Sequence, residues 1–327
     1  MEQYRIGVDL GGTNMAAGLL LGEHRIVKKH SIPTRQQAAP EQLAEDMTGL
    51  VFDLCSMAGI SMTEVKNVGI GIPGSVSPDG MVEDANNIGF VNVPFGQMMR
   101  ERLLLPVTTV NDARAAALGE YFAGAGRGST TFQMVTIGTG IGGAYIVHGE
   151  PIGGCNGAAG EIGHMVIDRH GVLCNCGRVG CFEAYASASA LKRRMMQRVP
   201  EHPGSMLWTM CGKIPEHLSG KHLFSAAAQQ DPLAKELLSE QVEYLAEGIA
   251  NLINALQPDV LCVGGGMSEQ KAALLAPLRE AVAGKLYSRH SAIQSKIVAA
   301  MLGNDAGIIG AALSEERKRT KNDEKTL

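Results

Sequence analysis

Apolar runs at Arg5 to Leu10, Met15 to Leu21 and Arg25 to Ile32 are broken by Gly11-Gly12-Thr13-Asn14 and by Gly22-Glu23. This spacing predicts three strands of an antiparallel meander. Between residues 41 and 58, Leu43, Met47, Leu50, Val51, Leu54 and Met57 recur at helical intervals. A strand is then predicted at Val68 to Ile72, followed by a loop rich in Gly, Pro and Asn. A short helix near Phe95 to Leu104, a strand at Val107 to Val110 and a helix through Ala113 to Phe122 complete the order βββαβαβα. The linker Gly124-Ala125-Gly126-Arg127-Gly128 marks a boundary, after which the opening pattern restarts. A strand at Met134 to Ile137 runs into Gly138-Thr139-Gly140 and returns along Gly142 to Val147.

IGVDLGGTN and VTIGTGIGG thus read as two copies of one device, a strand, a Gly/Thr turn and a returning strand, which predicts an internally duplicated α/β fold. Two lobes are expected, one over residues 1–122 joined by a C-terminal helix at 306–327, the other over 123–305, with an interdomain cleft. In the second lobe, Val242, Leu245, Ile249, Leu252, Ile253 and Leu256 line one helix face, and Val260 to Val263 is a short buried strand ending in Gly264-Gly265-Gly266. Trp208 reads as a packing residue in an inserted helical segment near residues 200 to 230, and Ile308 to Leu313 as a buried helix. The charged tail from Ser314 is expected to fray.

Composition narrows the class of partner. With 327 residues, 45% of them apolar and 19% charged, the chain can bury a large core, and its length favours two lobes. Lys and Arg number 29 against 33 Asp and Glu, so no field of one sign is available to attract nucleic acid or an acidic membrane. A small-molecule partner fits better. The start MEQYRIGVDL has neither a basic flank nor a long apolar run, and no stretch approaches the ~18 apolar residues of a membrane span. Seven cysteines is an odd number, and Cys174, Cys176 and Cys181 crowd together just before Glu183. That pattern suits a metal site in a reducing compartment, so a cytoplasmic location is expected.

Six stretches carry candidate chemistry. Asp9 ends a strand and is followed by Gly11-Gly12-Thr13, a turn without side-chain bulk where backbone amides and a hydroxyl can approach phosphate. Asp9 there can position magnesium, or be a structural acid of a glycine hairpin. Gly138-Thr139-Gly140 supplies a second such turn, and two facing turns can grip both ends of one polyphosphate. No GxxxxGK[ST] or HRD sequence is present, which excludes the P-loop and protein-kinase classes. Asn111-Asp112 sits between a strand and an Ala-rich helix, so Asp112 is either the helix N-cap or a general base for a sugar hydroxyl. The segment Gly160-Glu161-Ile162-Gly163-His164 with Cys174, Cys176 and Cys181 supplies one imidazole and three thiolates, the four ligands of a closed, structural zinc site. Glu161 and Glu183 flank it, and paired carboxylates suit a polyol. Gly264-Gly265-Gly266 and Gly303-Asn304-Asp305-Ala306-Gly307 are turns that either end secondary structure or take an adenosine against bare backbone. His24, His30, His148 and His217 read as solvated.

With these residues in place, the chain resembles the ROK family (repressors, open reading frames and kinases), and within it the glucokinase branch, from about Ile6 to Leu313. The GExGH segment followed by Cys174-Asn175-Cys176-Gly177 through Cys181-Phe182-Glu183 carries the likeness most specifically. The resemblance implies a two-lobe actin-like, hexokinase-like ATPase fold and phosphorylation of a free hexose at the 6-hydroxyl with ATP, magnesium and structural zinc. It places Asp9, Gly11, Gly12 and Thr13 at the first phosphate turn, Gly138, Thr139 and Gly140 at the second, and Gly265 and Gly307 near adenosine. Asp112 would be the base, while Gly74, Asn111, Glu161, His164 and Glu183 would line the sugar. His164 would bind zinc through one ring nitrogen and face the sugar with its other edge. Family members are commonly homodimers.

Glucose is favoured by DGxVxxxNNxG from Asp79 and by the helical insertion. N-acetylmannosamine, N-acetylglucosamine, fructose, allose and a polyphosphate donor stay open. A sugar-sensing repressor of this family should carry a helix-turn-helix ahead of the first turn, where only eight residues precede Asp9. Two positions depart from the pattern and are expected to adjust the sugar rim: Val110 where Glu is frequent, and Arg114 where Asn is.

Overall fold

The computed structural model describes residues 3–22, 24–35, 37–85 and 87–314, and places the opening meander at β1 (Tyr4–Leu10), β2 (Asn14–Leu21) and β3 (Arg25–Pro33). Helix α1 (Pro40–Ala58) opens on a proline at its first turn and stops at Gly59, whose left-handed backbone caps it. It buries Leu43, Met47, Leu50, Val51 and Leu54 as its spacing predicts, whereas Met57 lies half exposed. Strand β4 (Val65–Ile72) follows. The Gly/Pro/Asn-rich stretch expected to be a loop contains β5 (Ser75–Val76), β6 (Val82–Ala85) and β7 (Phe90–Val93), a small antiparallel sheet. Val82 and Phe90 bury one of its faces, and the Phe90 ring lies 5.3 Å from that of Phe95. Then come α2 (Phe95–Leu103), β8 (Val107–Asn111) and α3 (Asp112–Ala123). The main sheet has the order β3-β2-β1-β4-β8, with β1, β4 and β8 parallel. All three therefore end along one edge, where open α/β sheets present ligand sites.

The second sheet repeats this plan. Strands β9 (Thr131–Ile137), β10 (Ile141–Val147) and the two-residue β11 (Glu150–Pro151) are followed by a long irregular segment, pinned by bridges Val166 to Cys181 and Leu173 to Val179. Helices α4 (Phe182–Ala186), α5 (Ala188–Arg198), α6 (Met206–Met210) and α7 (Gly220–Ala228) lead to the 25-residue α8 (Pro232–Leu256). Its buried stripe includes Val242, Leu245, Ile249, Leu252 and Ile253, and Trp208 packs against the same core. Strand β12 (Val260–Gly264), helix α9 (Ala272–Lys285) and strand β13 (Lys296–Ala299) complete the order β11-β10-β9-β12-β13. The last helix and last strand of this series are not resolved by the sequence pattern. Among the described residues, no helix is long and apolar enough to cross a membrane.

The closing helix α10 (Asp305–Leu313) packs on the first sheet and on α3. That approach is possible only because glycines face it: a Cβ on Gly7 would fall 1.8 Å from Ile308 O, and one on Gly69 1.7 Å from Ala311 O. Asn67 adds a hydrogen bond to Ala312 O at 3.0 Å. The chain divides into one unit of Met1–Arg127, Gly153–Ala159 and Asn304–Leu327, and another of Gly128–Ile152 and Gly160–Gly303. The linker's first glycines stay with the first unit because Glu120, itself fully buried, accepts from Ala125 N at 2.8 Å and its carbonyl from Gly126 N at 2.9 Å. The tail beyond Ser314, including the end of the helix expected over 306–327, lies outside the described residues, as does Asn86 of the DGxVxxxNNxG stretch.

Candidate active site

In the first unit, the edge where β1, β4 and β8 end gathers Asp9, Gly74, Asn111 and Asp112. Asn111, rather than Asp112, is the cap of α3: its Oδ1 accepts from Arg114 N at 3.0 Å, while its Nδ2 donates to Gly74 O at 3.0 Å and to Asp112 Oδ1 at 3.1 Å. Asp112 is exposed, and its Oδ1 also accepts from Ala113 N at 2.8 Å. A carboxylate in the first turn of a helix is favoured by the unpaired amides there. Asp9 is the opposite case. Burial, and next the neighbouring Asp112 charge, push its carboxyl up from 3.8 to about 6. Two acids so placed are a natural seat for a divalent cation.

The first glycine turn is closed by Gly11 N donating to Asn14 O at 3.0 Å. Thr34, a residue the sequence pattern did not single out, locks it from outside: its Oγ1 donates to Gly11 O at 2.7 Å and its N to Thr13 O at 3.0 Å. The signal for Thr34 is its place directly after the strand whose Pro33 pairs with Asn14. Gly307 lies within the first turn of α10 rather than in a loop, and a Cβ there would stand 3.4 Å from the Asp9 carboxyl. Val110 is buried against Ala115 and Ala311, so this departure belongs to the core and not to a sugar rim.

In the second unit, Gly138 N donates to Gly140 O at 2.9 Å, and Ala188 N to Gly138 O at 2.9 Å. Glu183 lies against this turn: its Oε2 accepts from Ile141 N at 2.8 Å, and a Cβ on Gly140 would clash with it. Gly265 has φ 80°, and any side chain there would collide with the Ile137 backbone beside the same turn. Glu161 is exposed at the head of a short 3-10 turn, Ile162–His164, whose Gly163 packs on Ile141 O.

His164, Cys174, Cys176 and Cys181 converge so that their ligand atoms all lie within 4.8 Å of one another. Cys176 Sγ is 3.6 Å from Cys181 Sγ, and Cys174 Sγ is 3.8 Å from His164 Nδ1. Ligands about 2.3 Å from a tetrahedral metal stand about 3.8 Å apart, so the cluster fits such an ion. All three cysteines are free of disulfides. Without a cation, burial pushes the Cys181 thiol up to about 12, whereas the Arg178 amide holds Cys176 down. Cys181 also caps α4, the helix that carries Glu183.

A model of the ROK family matches residues 5–317. The chain belongs to the ROK family. This ROK protein is 37% identical to the glucokinase of Halalkalibacterium halodurans over 311 residues, 94% of each chain. It is 30% identical to an N-acetylmannosamine kinase of Escherichia coli, over 94% of this chain and 97% of that one. Among solved structures, a ROK family glucokinase from Streptomyces griseus in complex with glucose and AMPPNP superimposes with a TM-score of 0.82 at 34% identity, covering 96% of this ROK chain and all of the other.

Proposed function

We propose that this ROK protein is an ATP-dependent hexose kinase that converts free D-glucose to glucose 6-phosphate. The observation that carries the reading is the meeting, at one sheet edge, of an exposed acid oriented at a helix start with a half-buried acid held high beside it. Asp112 takes the proton of the sugar 6-hydroxyl, its carboxylate aimed by the Ala113 amide and by Asn111 Nδ2. The sugar oxygen attacks the γ-phosphorus in line, the bond to the β,γ-bridging oxygen breaks, and ADP leaves. Magnesium arriving with ATP neutralises phosphate charge, and Asp9 is the group placed to hold it or its water. Gly11 to Thr13 and Gly138 to Gly140 present amides to phosphate oxygens, with Gly265 and Gly307 near adenosine. Gly74, Asn111, Glu161, His164 and Glu183 bind sugar hydroxyls.

His164 Nδ1 and the thiolates of Cys174, Cys176 and Cys181 hold zinc. Such an ion would be structural, because four protein ligands would leave no position for water. His164 then keeps its other ring nitrogen for the sugar. A homodimer in the cytoplasm completes the reading, consistent with seven free cysteines. Glucose is supported by the identity with the glucokinase relative and by the glucose in the solved neighbour.

The test is coupled ADP release with Mg-ATP over free hexoses and N-acetylhexosamines, with Asp112→Asn as control. Fastest turnover on glucose, lost in the variant, is the expected result. Fastest turnover on N-acetylmannosamine would reassign the sugar, and silence on every sugar would overturn the kinase reading.

A further inference from the structure

We propose that Arg114 is a positioning residue of the sugar site, acting by clamping the strap Gly153–Ala159; the proposal rests on the hexose-kinase reading above. The strap is the one excursion of the chain into the first unit between β11 and the segment bearing Glu161. It closes on itself through Ala159 N donating to Gly153 O at 3.0 Å, and Asn156 Oδ1 accepts from Ala158 N at 3.2 Å. Two anchors hold it. On one side Gly157 packs on the Val76 carbonyl and on Pro78, just beyond Gly74. On the other, Arg114 Nη2 donates to Gly157 O at 2.7 Å and to Ala159 O at 3.3 Å.

Arg114 stands on α3 two residues after Asp112, and its own amide is the one that Asn111 caps. One residue thus ties the helix start bearing Asn111 and Asp112 to the strap, and the strap runs on through Gly160 into Glu161. Residues assigned to the sugar lie at both ends of that tie. A strap ordered before the sugar arrives spares the ordering cost at binding, which appears in sugar affinity and not in the chemical step. A guanidinium is suited to two carbonyls at once, because the two N–H bonds of its planar Nη2 point in fixed directions, whereas an ammonium is a freely turning point charge.

Wild type, Arg114→Ala and Arg114→Lys separate this from a merely structural role. Hydrogen exchange of the strap amides, read by mass spectrometry on the full chain, should be about tenfold faster in Arg114→Ala, the weight of one hydrogen bond to a charged group. The glucose KM should rise about tenfold, with kcat and the ATP KM within twofold, and Arg114→Lys should fall between. Unchanged strap exchange, an unchanged glucose KM, or equal losses in the glucose and ATP KM would each overturn the proposal. If no sugar is phosphorylated at all, the kinase reading fails by itself, and the proposal falls with it even where the exchange data show an Arg114 clamp.

Discussion

The two glycine-threonine turns occupy matching places in sheets of the same strand order, yet they are armed differently. In the first sheet Asp9 pairs with Gly71 of β4; in the second, the corresponding pair is Thr136 with Gly264 of β12. One copy therefore carries a half-buried acid at the strand end where the other carries a hydroxyl. Their locks differ in the reverse sense: the neutral Thr34 hydroxyl holds the first turn, and the Glu183 carboxylate holds the second. The duplicated scaffold has kept the strand order and a glycine turn after the first strand in both halves. In the proposed assignment, the acids given to the cation and the proton, Asp9 and Asp112, belong to the first unit, and those given to the polyol, Glu161 and Glu183, belong to the second. Division of labour here is a matter of a few side chains on one backbone plan.

The largest effect should come from Asp112, the exposed acid at the start of α3. Asp112→Asn should keep the fold and glucose binding while kcat falls about 1000-fold, about 4 kcal/mol of lost transition-state stabilisation. Calorimetric glucose binding measured beside the turnover checks it, and near-normal kcat would remove Asp112 from the role of base.

Asp9 should show an effect of opposite sign on stability and activity. Its folded value of about 6 lies above the ordinary 3.8, so the protonated form is the one the fold favours. The stability that proton brings is complete below about pH 4 and is lost as pH rises through about 6, at a cost of roughly 3 kcal/mol at pH 7.5. In metal-free protein, Asp9→Asn should therefore melt higher than wild type at pH 7.5, with the gap closing toward pH 4, while turnover collapses. A variant that melts lower at pH 7.5 would show that the Asp9 charge is already compensated.

How much of this was legible follows from what each signal depends on. The duplication, the parallel edge and the Cys/His cluster could be read because alternation, turn glycines and ligand spacing are local properties of the chain. The β5–β6–β7 sheet was hidden because its strands are two to four residues long and interrupted by Gly and Pro. Gly7 and Gly69 looked like ordinary strand residues, since the reason for them, the backbone of α10, lies more than 200 residues away. Thr34 escaped notice, and the partners of Arg114 could not be read, for the same reason: each acts on backbone atoms of a distant segment. Val110 was misread because a departure from a family pattern says nothing about which way the side chain points.

The Cys/His cluster lies in the second unit, with Cys181 at the start of α4 and Glu183 two residues on. Cys174→Ser should lose bound metal, measured by elemental mass spectrometry, and lower the melting point by about 5 °C, roughly 2 kcal/mol. The glucose KM should rise more than the ATP KM, because Glu183 loosens before the glycine turn does. Full metal content with an unchanged melting point would show that Cys174 is not a ligand.

The smallest effects test the two locks against each other. Thr34→Val removes the hydroxyl that donates to Gly11 O but leaves the Thr34 amide on Thr13 O, so the first turn should loosen without unravelling. One neutral hydrogen bond is worth about 1 kcal/mol, which predicts a roughly fivefold rise in the ATP KM with the glucose KM unchanged. Glu183→Gln keeps an oxygen that can accept from Ile141 N, so the second turn should hold, but the charge that meets sugar hydroxyls is gone. Here the glucose KM should rise and the ATP KM stay. The crossed pattern is what separates a lock that serves only phosphate from one that also serves sugar. If both variants raise both constants together, the two turns act as one binding surface, and the division of labour drawn from Asp9 and Thr136 does not extend to the residues that hold them.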